Sequence, residues 1–321
     1  MAMDTLSQHS HLSHLLAAGV TRAAPLLIAA LGAITAERAG VLNLGVEGVM
    51  LLGAMTGFAT TAATANPWLG LGSALLAGAA LGLLYAVVVV SLQADQVVSG
   101  LALGFVGTGL SAVLGAPLAA APQKIVELPQ LSIPFLQQIP LLGRALFATS
   151  VIVYVAFLLL LITKLLDRTR WGLHITAVGE NPSAADAMGV PVLRYRYAGT
   201  IWGSALAGLA GGCLSLAITP MWVDDLTAGQ GWIAVGLVVV ARWRAIPAAW
   251  IALLFGVLRR LPLELQGMSA LLGNPKLGYL FDMLPYLGTI VVLVIRTRPG
   301  VGKYFAPPSA LGIPYVRGMQ K

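Results

Sequence analysis

The sequence predicts an all-α fold, a polytopic bundle of about 8–10 membrane-spanning helices forming a single domain over 1–321. Three observations lead there. Of 321 residues, 58% are hydrophobic and only 10% charged, against about 25% charged in soluble domains. Mean hydropathy is +0.87, and apolar stretches of membrane-spanning length recur along the whole chain without a compositional seam. The 37 glycines include the pairs Gly53/Gly57, Gly78/Gly82, Gly100/Gly104 and Gly208/Gly212, each spaced G-x-x-x-G within an apolar run. That spacing lets helices approach closely in lipid, where van der Waals contact replaces the missing hydrophobic drive.

Nine segments follow in order: 15–36, 41–62, 67–91, 97–119, 145–163, 197–219, 230–241, 245–263 and 279–295. Two depart from a simple crossing. The 230–241 run is too short to span the bilayer perpendicularly, and 41–62 carries Asn43 and Glu47 among glycines. Ahead of the first segment, His9, His11 and His14 read as a polar tail with nothing to fix metal geometry. The same stretch lacks a basic n-region and an A-x-A site, so no signal peptide is expected. The lone cysteine, Cys213, excludes an intramolecular disulfide and reads as packing.

Lysine and arginine orient the bundle. The 164–196 stretch, the turn after 241 and the C-terminal tail are all basic, so the positive-inside rule places them in the cytoplasm. The connections 120–144 and 220–229 then face outward, and the count carried backward puts the N-terminus outside. A broken or re-entrant 41–62 segment would reverse that last inference. The net charge of +7 follows from this topology and calls for no nucleic-acid partner.

Catalytic signatures are missing. The string "RPGVGKYF" (298–305) lacks the upstream glycine and the hydroxyl residue of a P-loop, and there is no H-E-x-x-H, G-x-S-x-G or Cys/His cluster. Asp224-Asp225 has no companion base nearby. Catalytic residues, metal sites and cofactors are therefore not expected.

What remains is polar chemistry inside the bundle. Glu47 sits about two turns inside its segment, with Asn43 one turn earlier, and intramembrane carboxylates face a cavity or a partner group. Two readings stay open. Glu47 pairs with Arg38 or Arg22 to fix the first two helices, or its polar, glycine-interrupted segment (Asn43, Gly45, Glu47) lines a translocation path. Gln96 and Ser99 at the start of the fourth segment, and Thr227 and Gln230 near the start of the seventh, are further candidates for that path. As an ion-coupled carrier, the chain would use Glu47 and Asp95 as coupling acids.

Within the basic loop, "GENPSAADAMGV" (179–190) carries a full set of start and stop signals around a helix of about two turns. Asn181 caps, Pro182 takes the first helical position, Gly189 supplies a left-handed exit and Pro191 prevents resumption. So short a helix does not persist by propensity, so the bundle or another protein must hold it. Its expected surface is small and flat, made of Ala184, Ala185, Ala187 and Met188.

"RTRWGLHITAVGENPSAADAMGV" (168–190) resembles the coupling loop of permease subunits of ATP-binding cassette importers for simple sugars, branched-chain amino acids and nucleosides. "ERAGVLNLGVEGVMLLGA" (37–54), "QADQVVSGLAL" (93–103), "TAGQGWIAVGLVVVARWR" (227–244) and "PPSALGIPY" (307–315) resemble the nucleoside-type branch. The resemblance implies that 164–196 is a cytoplasmic coupling loop that docks on a separate ATPase through Gly179, Glu180, Asn181, Pro182, Ala185, Met188 and Gly189. A charge at Ala185 is then expected to block docking and leave the bundle folded. It further implies a bacterial inner-membrane assembly with a fused double ATPase, a second homologous permease and a substrate-binding lipoprotein. Solute would cross by alternating access, and Asn43, Gly45 and Glu47 would border its path. The stretches 219–226 and 260–278 depart from the family pattern, which bears on the identity of the solute.

Overall fold

A computed structural model describes residues 2–120, 125–132, 148–266 and 306–317, with a few positions between 283 and 294. The predicted span 279–295 falls mostly outside them. Helix α1 (Ala2–Arg38) includes a membrane-spanning stretch, Leu15–Arg38. Residues 39–45 are not helical, and α2 (Val46–Thr64) begins five residues later than the 41–62 segment suggested. An Asn66 cap, accepting from the Trp68 and Leu69 amides, opens α3 (Pro67–Ala86), which closes in a π-helical turn, Val87–Ser91. Then come α4 (Gln96–Ala120), a two-stranded antiparallel ribbon, β1 (Gln130–Ser132) and β2 (Ala148–Ser150), and α5 (Val151–Leu166). The basic loop forms α6 (Arg170–Glu180) and α7 (Pro182–Ala187). Helix α8 (Val192–Cys213) also ends in a π turn, Leu214–Ile218, before α9 (Gln230–Val240) and α10 (Ala245–Gln266).

Five stretches among the described residues are long and apolar enough to cross a membrane: Leu15–Arg38, Val46–Thr64, Pro67–Ser91, Gln96–Ala120 and Val192–Ile218. The bundle is built around α8, which packs against α1, α2 and α3. Glycine makes this possible. A Cβ on Gly53 would lie 2.2 Å from the Gly208 carbonyl oxygen, and one on Gly78 would lie 2.3 Å from that of Ser204. The backbones of α2, α8 and α3 thus touch directly, and the G-x-x-x-G pairs of three segments meet in one seam. Helix α1 also lies along α5, α9 and α10. Helix α4 packs mainly on α2 and leaves much of its surface outside, including Phe105 and Val113.

Contacts fix which helix ends share a side. Arg38, at the end of α1, pairs with Asp167 after α5, and Ser91, at the end of α3, hydrogen-bonds Tyr197 near the start of α8 (2.5 Å). The start of the α1 span meets the far half of α10, Gly19 against Gly256 and Val257, so the two helices run antiparallel. The chain therefore begins α1 on the side opposite α6 and α7.

Candidate functional site

Two sites lie on the fold: a polar knot where the second segment is broken, and the stub at the bundle's end. The break at 39–45 leaves backbone polar groups inside an apolar bundle, where each unsatisfied group costs several kcal/mol on the order of transfer values. Side chains from other helices and from the break itself help to meet that demand. Gln96 Oε1 accepts from the Leu42 amide (2.7 Å), and the Tyr85 hydroxyl lies between the carbonyls of Leu42 (2.5 Å) and Gln96 (2.8 Å). Asn43 Oδ1 accepts from the Gly45 amide (2.8 Å), while its Nδ2 reaches Ser204 Oγ on α8 (3.3 Å).

Glu47 occupies the first turn of α2 and is buried. Its Oε1 accepts from the Thr227 hydroxyl and the Gly229 amide (2.9 Å), and its Oε2 from the Gly231 amide (2.5 Å). The carboxylate thus sits between the N-termini of α2 and α9, where the positive ends of two helix dipoles favour an anion. Gly231 is required for this approach, since a Cβ there would lie 2.5 Å from Glu47 Cα. The pairing with Arg38 or Arg22, one of the two readings open from the sequence, is not found among the described residues. Arg38 is engaged by Asp167, and Arg22 lines a cavity with Arg260, Gln130 and Thr149. Amides and a hydroxyl, brought from 180 residues away in sequence, replace the cation.

Of the path candidates, Asn43, Gly45, Glu47, Gln96 and Thr227 are thus joined in one hydrogen-bonded region, all buried. Gln230 is also buried, and its amide donates to the Thr227 carbonyl (3.1 Å) at the start of α9. Ser99 stands apart, half-buried, its amide donating to the Asp95 carbonyl. At the other end of α9, Trp243 Nε1 donates to buried Glu37 (2.5 Å). The 11 residues of α9 rise about 16 Å, so the knot lies roughly half a bilayer from the Glu37 end. Glu37 escaped the sequence reading because it sits beside Arg38 at a helix end, where a solvated carboxylate is unremarkable.

The stub is α7. Asn181 Oδ1 accepts from the Ala184 amide (3.0 Å), Pro182 takes the first position and Gly189 adopts φ +82°. Met188 is 84% exposed, and Ala184 and Ala187 are exposed beside it. Ala185 differs from expectation. It is 6% exposed and faces inward, packed with Val178, Val192 and Tyr315. Two residues before Ala187, it lies on the opposite side of the helix from that residue, and Met188 stands past the end of α7 as its C-cap. The outward surface is therefore Ala184, Ala187 and Met188, without Ala185. Gly179 fits against the end of α1, where a Cβ would lie 2.0 Å from the Arg38 carbonyl oxygen.

The stub is held by the segment 306–317. The Ala310 amide donates to the Gly179 carbonyl (2.8 Å), Ser309 Oγ to Glu180 (3.0 Å), and Arg317 pairs with Asp186 (3.2 Å). Tyr315 fills the small core under Ala185. Burial there, with the Asp186 carboxylate alongside, pushes its phenol above the ordinary value. Among the described residues, no group of three or more His, Cys, Asp or Glu side chains is placed to hold a metal ion.

A glycine-seamed helical bundle with a broken second segment braced by side chains and a capped stub at one end is a polytopic membrane protein of the permease class. Residues 15–293 match the family described as branched-chain amino acid transport system / permease component. The chain belongs to that family, and is a permease subunit of an ATP-binding cassette transporter. It is similar to the putative glucose ABC transporter permease protein TsgC13 of Haloferax volcanii, 43% identical over 95% of this chain and 98% of the relative. It is similar also to the guanosine ABC transporter permease protein NupQ of Bacillus subtilis, 35% identical over 96% and 98% of the two chains. The nucleoside ABC transporter permease protein NupC of Lactococcus lactis is 31% identical over 91% and 93%. No solved structure matches.

Proposed function

We propose that this chain imports nucleosides, or related neutral sugars, across a cell membrane by alternating access, driven by a separate ATPase. The observation that carries the reading is the stub: a capped, two-turn helix whose exposed face is Ala184, Ala187 and Met188. Small side chains around one flexible thioether suit insertion into a groove on another protein. Gly179, Glu180, Asn181, Pro182 and Gly189 shape and orient that face, and Ala185 seats it on the bundle. The stub, the basic turns and the C-terminus lie in the cytoplasm on this reading. A second, homologous permease completes the pore, a binding lipoprotein delivers solute from outside, and a fused double ATPase supplies the energy. This chain does no covalent chemistry.

Asn43, Gly45, Glu47, Gln96, Thr227 and Gln230 brace the wall of the translocation path, and Ser99 lies at its margin. Their polar atoms are largely committed to backbone groups, so they set the shape of the wall more than they bind solute. The commitment of both Glu47 oxygens to three donors also disfavours ion coupling through this residue. A glucose-type solute is the second reading, favoured by the identity to the Haloferax relative; both solute kinds are neutral and sugar-bearing.

The test is uptake by the reconstituted complex of this chain, its ATPase, its second permease and its binding protein. Labelled guanosine should enter against its gradient only with ATP inside, and should be competed by other purine nucleosides. Uptake should persist when ionophores collapse Na⁺ and H⁺ gradients. Uptake that follows the ion gradient and ignores ATP would refute the reading; glucose in place of guanosine would select the second solute.

A further inference from the structure

The segment 306–317 touches four parts of the molecule at once. On the stub side it meets Gly179, Glu180 and Asp186. On the bundle side the Ile313 carbonyl accepts from Arg196 Nη1 (2.9 Å), and the Arg196 guanidinium lies 6.0 Å from the centre of the Tyr315 ring. Arg196 belongs to the membrane-spanning α8 and is 1% exposed. Its guanidinium and the Ala310 carbonyl both crowd the Gly40 turn, each within 3.3 Å of where a Cβ on Gly40 would stand. Gln93, in the turn between α3 and α4, reaches the Tyr315 carbonyl (3.4 Å).

Gly40 opens the broken stretch that Gln96 and Asn43 hold. A continuous run of contacts therefore leads from the stub through 306–317 to Arg196 and Gly40, then along Leu42, Asn43 and Gly45 to the Glu47 knot. Buried Arg196 ties the run to α8 through its Nη1. Taking its main described acceptor away would strand a charge in an apolar bundle, which is strongly unfavourable, so α8 and the strap are bound to move together. Stub and strap are joined in turn by the Tyr315 core and by three polar contacts.

We propose that residues 306–317 form a transmission strap, which carries displacement of the stub to α8 and to the broken segment between α1 and α2. The proposal rests on the reading of α7 as the ATPase-docking stub. It predicts that weakening the strap leaves docking and ATP hydrolysis in place while disconnecting them from solute movement.

The experiment measures, in the full reconstituted complex, ATP hydrolysed and labelled solute imported. Three chains are compared with the wild type: Tyr315→Ala, Tyr315→Phe, and a truncation after residue 305 combined with Arg196→Met so that no guanidinium is stranded. Tyr315→Ala, in which the three polar contacts still seat the stub, should keep the ATPase subunit bound and hydrolysing within about 3-fold of wild type and import at least 10-fold less solute per ATP. The truncation, which removes what holds the stub, should lose ATPase binding as well. Tyr315→Phe, which keeps the packing under Ala185, should import within about 2-fold of wild type. An unchanged ratio of import to hydrolysis in Tyr315→Ala overturns the proposal. So does loss of ATPase binding in that variant, which would make the strap a scaffold for docking alone. If the truncated chain fails to accumulate, Tyr315→Ala against Tyr315→Phe decides. A wild-type complex that shows no ATP-driven import would instead sink the docking reading itself.

Discussion

Glu47 is a carboxylate held in an apolar bundle by a hydroxyl, two amides and the positive ends of two helices. Glu47→Gln keeps the shape but presents an NH₂ group to backbone donors, so one amide loses its acceptor. Hydrogen bonds to a charged group contribute about 1.5–3 kcal/mol each, and an orphaned buried donor costs about 1–3 kcal/mol. The variant should lower the thermal unfolding midpoint of the purified chain and reduce uptake at least tenfold; wild-type values for both would show that the knot is dispensable. At the stub, two substitutions that look alike from the sequence should differ. Met188→Glu places charge on an 84% exposed side chain, so the chain should accumulate normally and fail to bind its ATPase in a pull-down. Ala185→Glu forces a carboxylate into the core of Val178, Val192 and Tyr315 and should make the loop itself sensitive to limited proteolysis. Equal protease resistance in the two variants would contradict the inward orientation of Ala185.

At the scale of elements, helix contact here is set by glycine seams, because lipid offers no hydrophobic penalty for separating two apolar helices. A Cβ on Gly208 would lie 2.4 Å from the Ala74 carbonyl oxygen, whereas one on Gly72 or Gly109 would meet nothing within 4 Å. Gly208→Leu should therefore push α3 off α8 and sharply reduce the amount of folded chain recovered in mild detergent. Gly72→Ala and Gly109→Ala should be recovered at wild-type levels, since alanine also favours the helix by up to about 1 kcal/mol. Comparable loss in all three would mean that the seam does not govern assembly. The G-x-x-x-G spacings were legible because a helix repeats every few residues. Which seam meets which was not, because that depends on how α2, α3 and α8 pass one another. The π turns that close α3 and α8 left no mark in composition at all.

For the whole molecule, the alternation of sides follows from contacts that gather the ends of α1, α3 and α5 beside α6 and the start of α8. The sole cysteine, Cys213, is fully buried, so the native chain is a silent background for labelling. Thr64→Cys and Ser183→Cys, both at exposed positions, should react with an impermeant maleimide from opposite sides of the membrane. In intact cells the first should label and the second should label only after permeabilisation. Labelling of both from outside would break the topology.

Some of this was settled by short stretches of chain. Asn181, Pro182 and Gly189 specify the stub because capping and left-handed exits act within four or five residues. Apolar run length announced the membrane bundle because the bilayer imposes a fixed thickness on any helix that crosses it. The rest had to wait for three dimensions. The Thr227 and Gly231 groups around Glu47, the Trp243 partner of Glu37 and the strap across α7 all come from more than 120 residues away. A buried polar group in a low-dielectric interior is satisfied by whatever donor the packing brings near it, and sequence distance carries no trace of that choice. For the same reason, which face of the stub turns inward was decided by the core waiting beneath it.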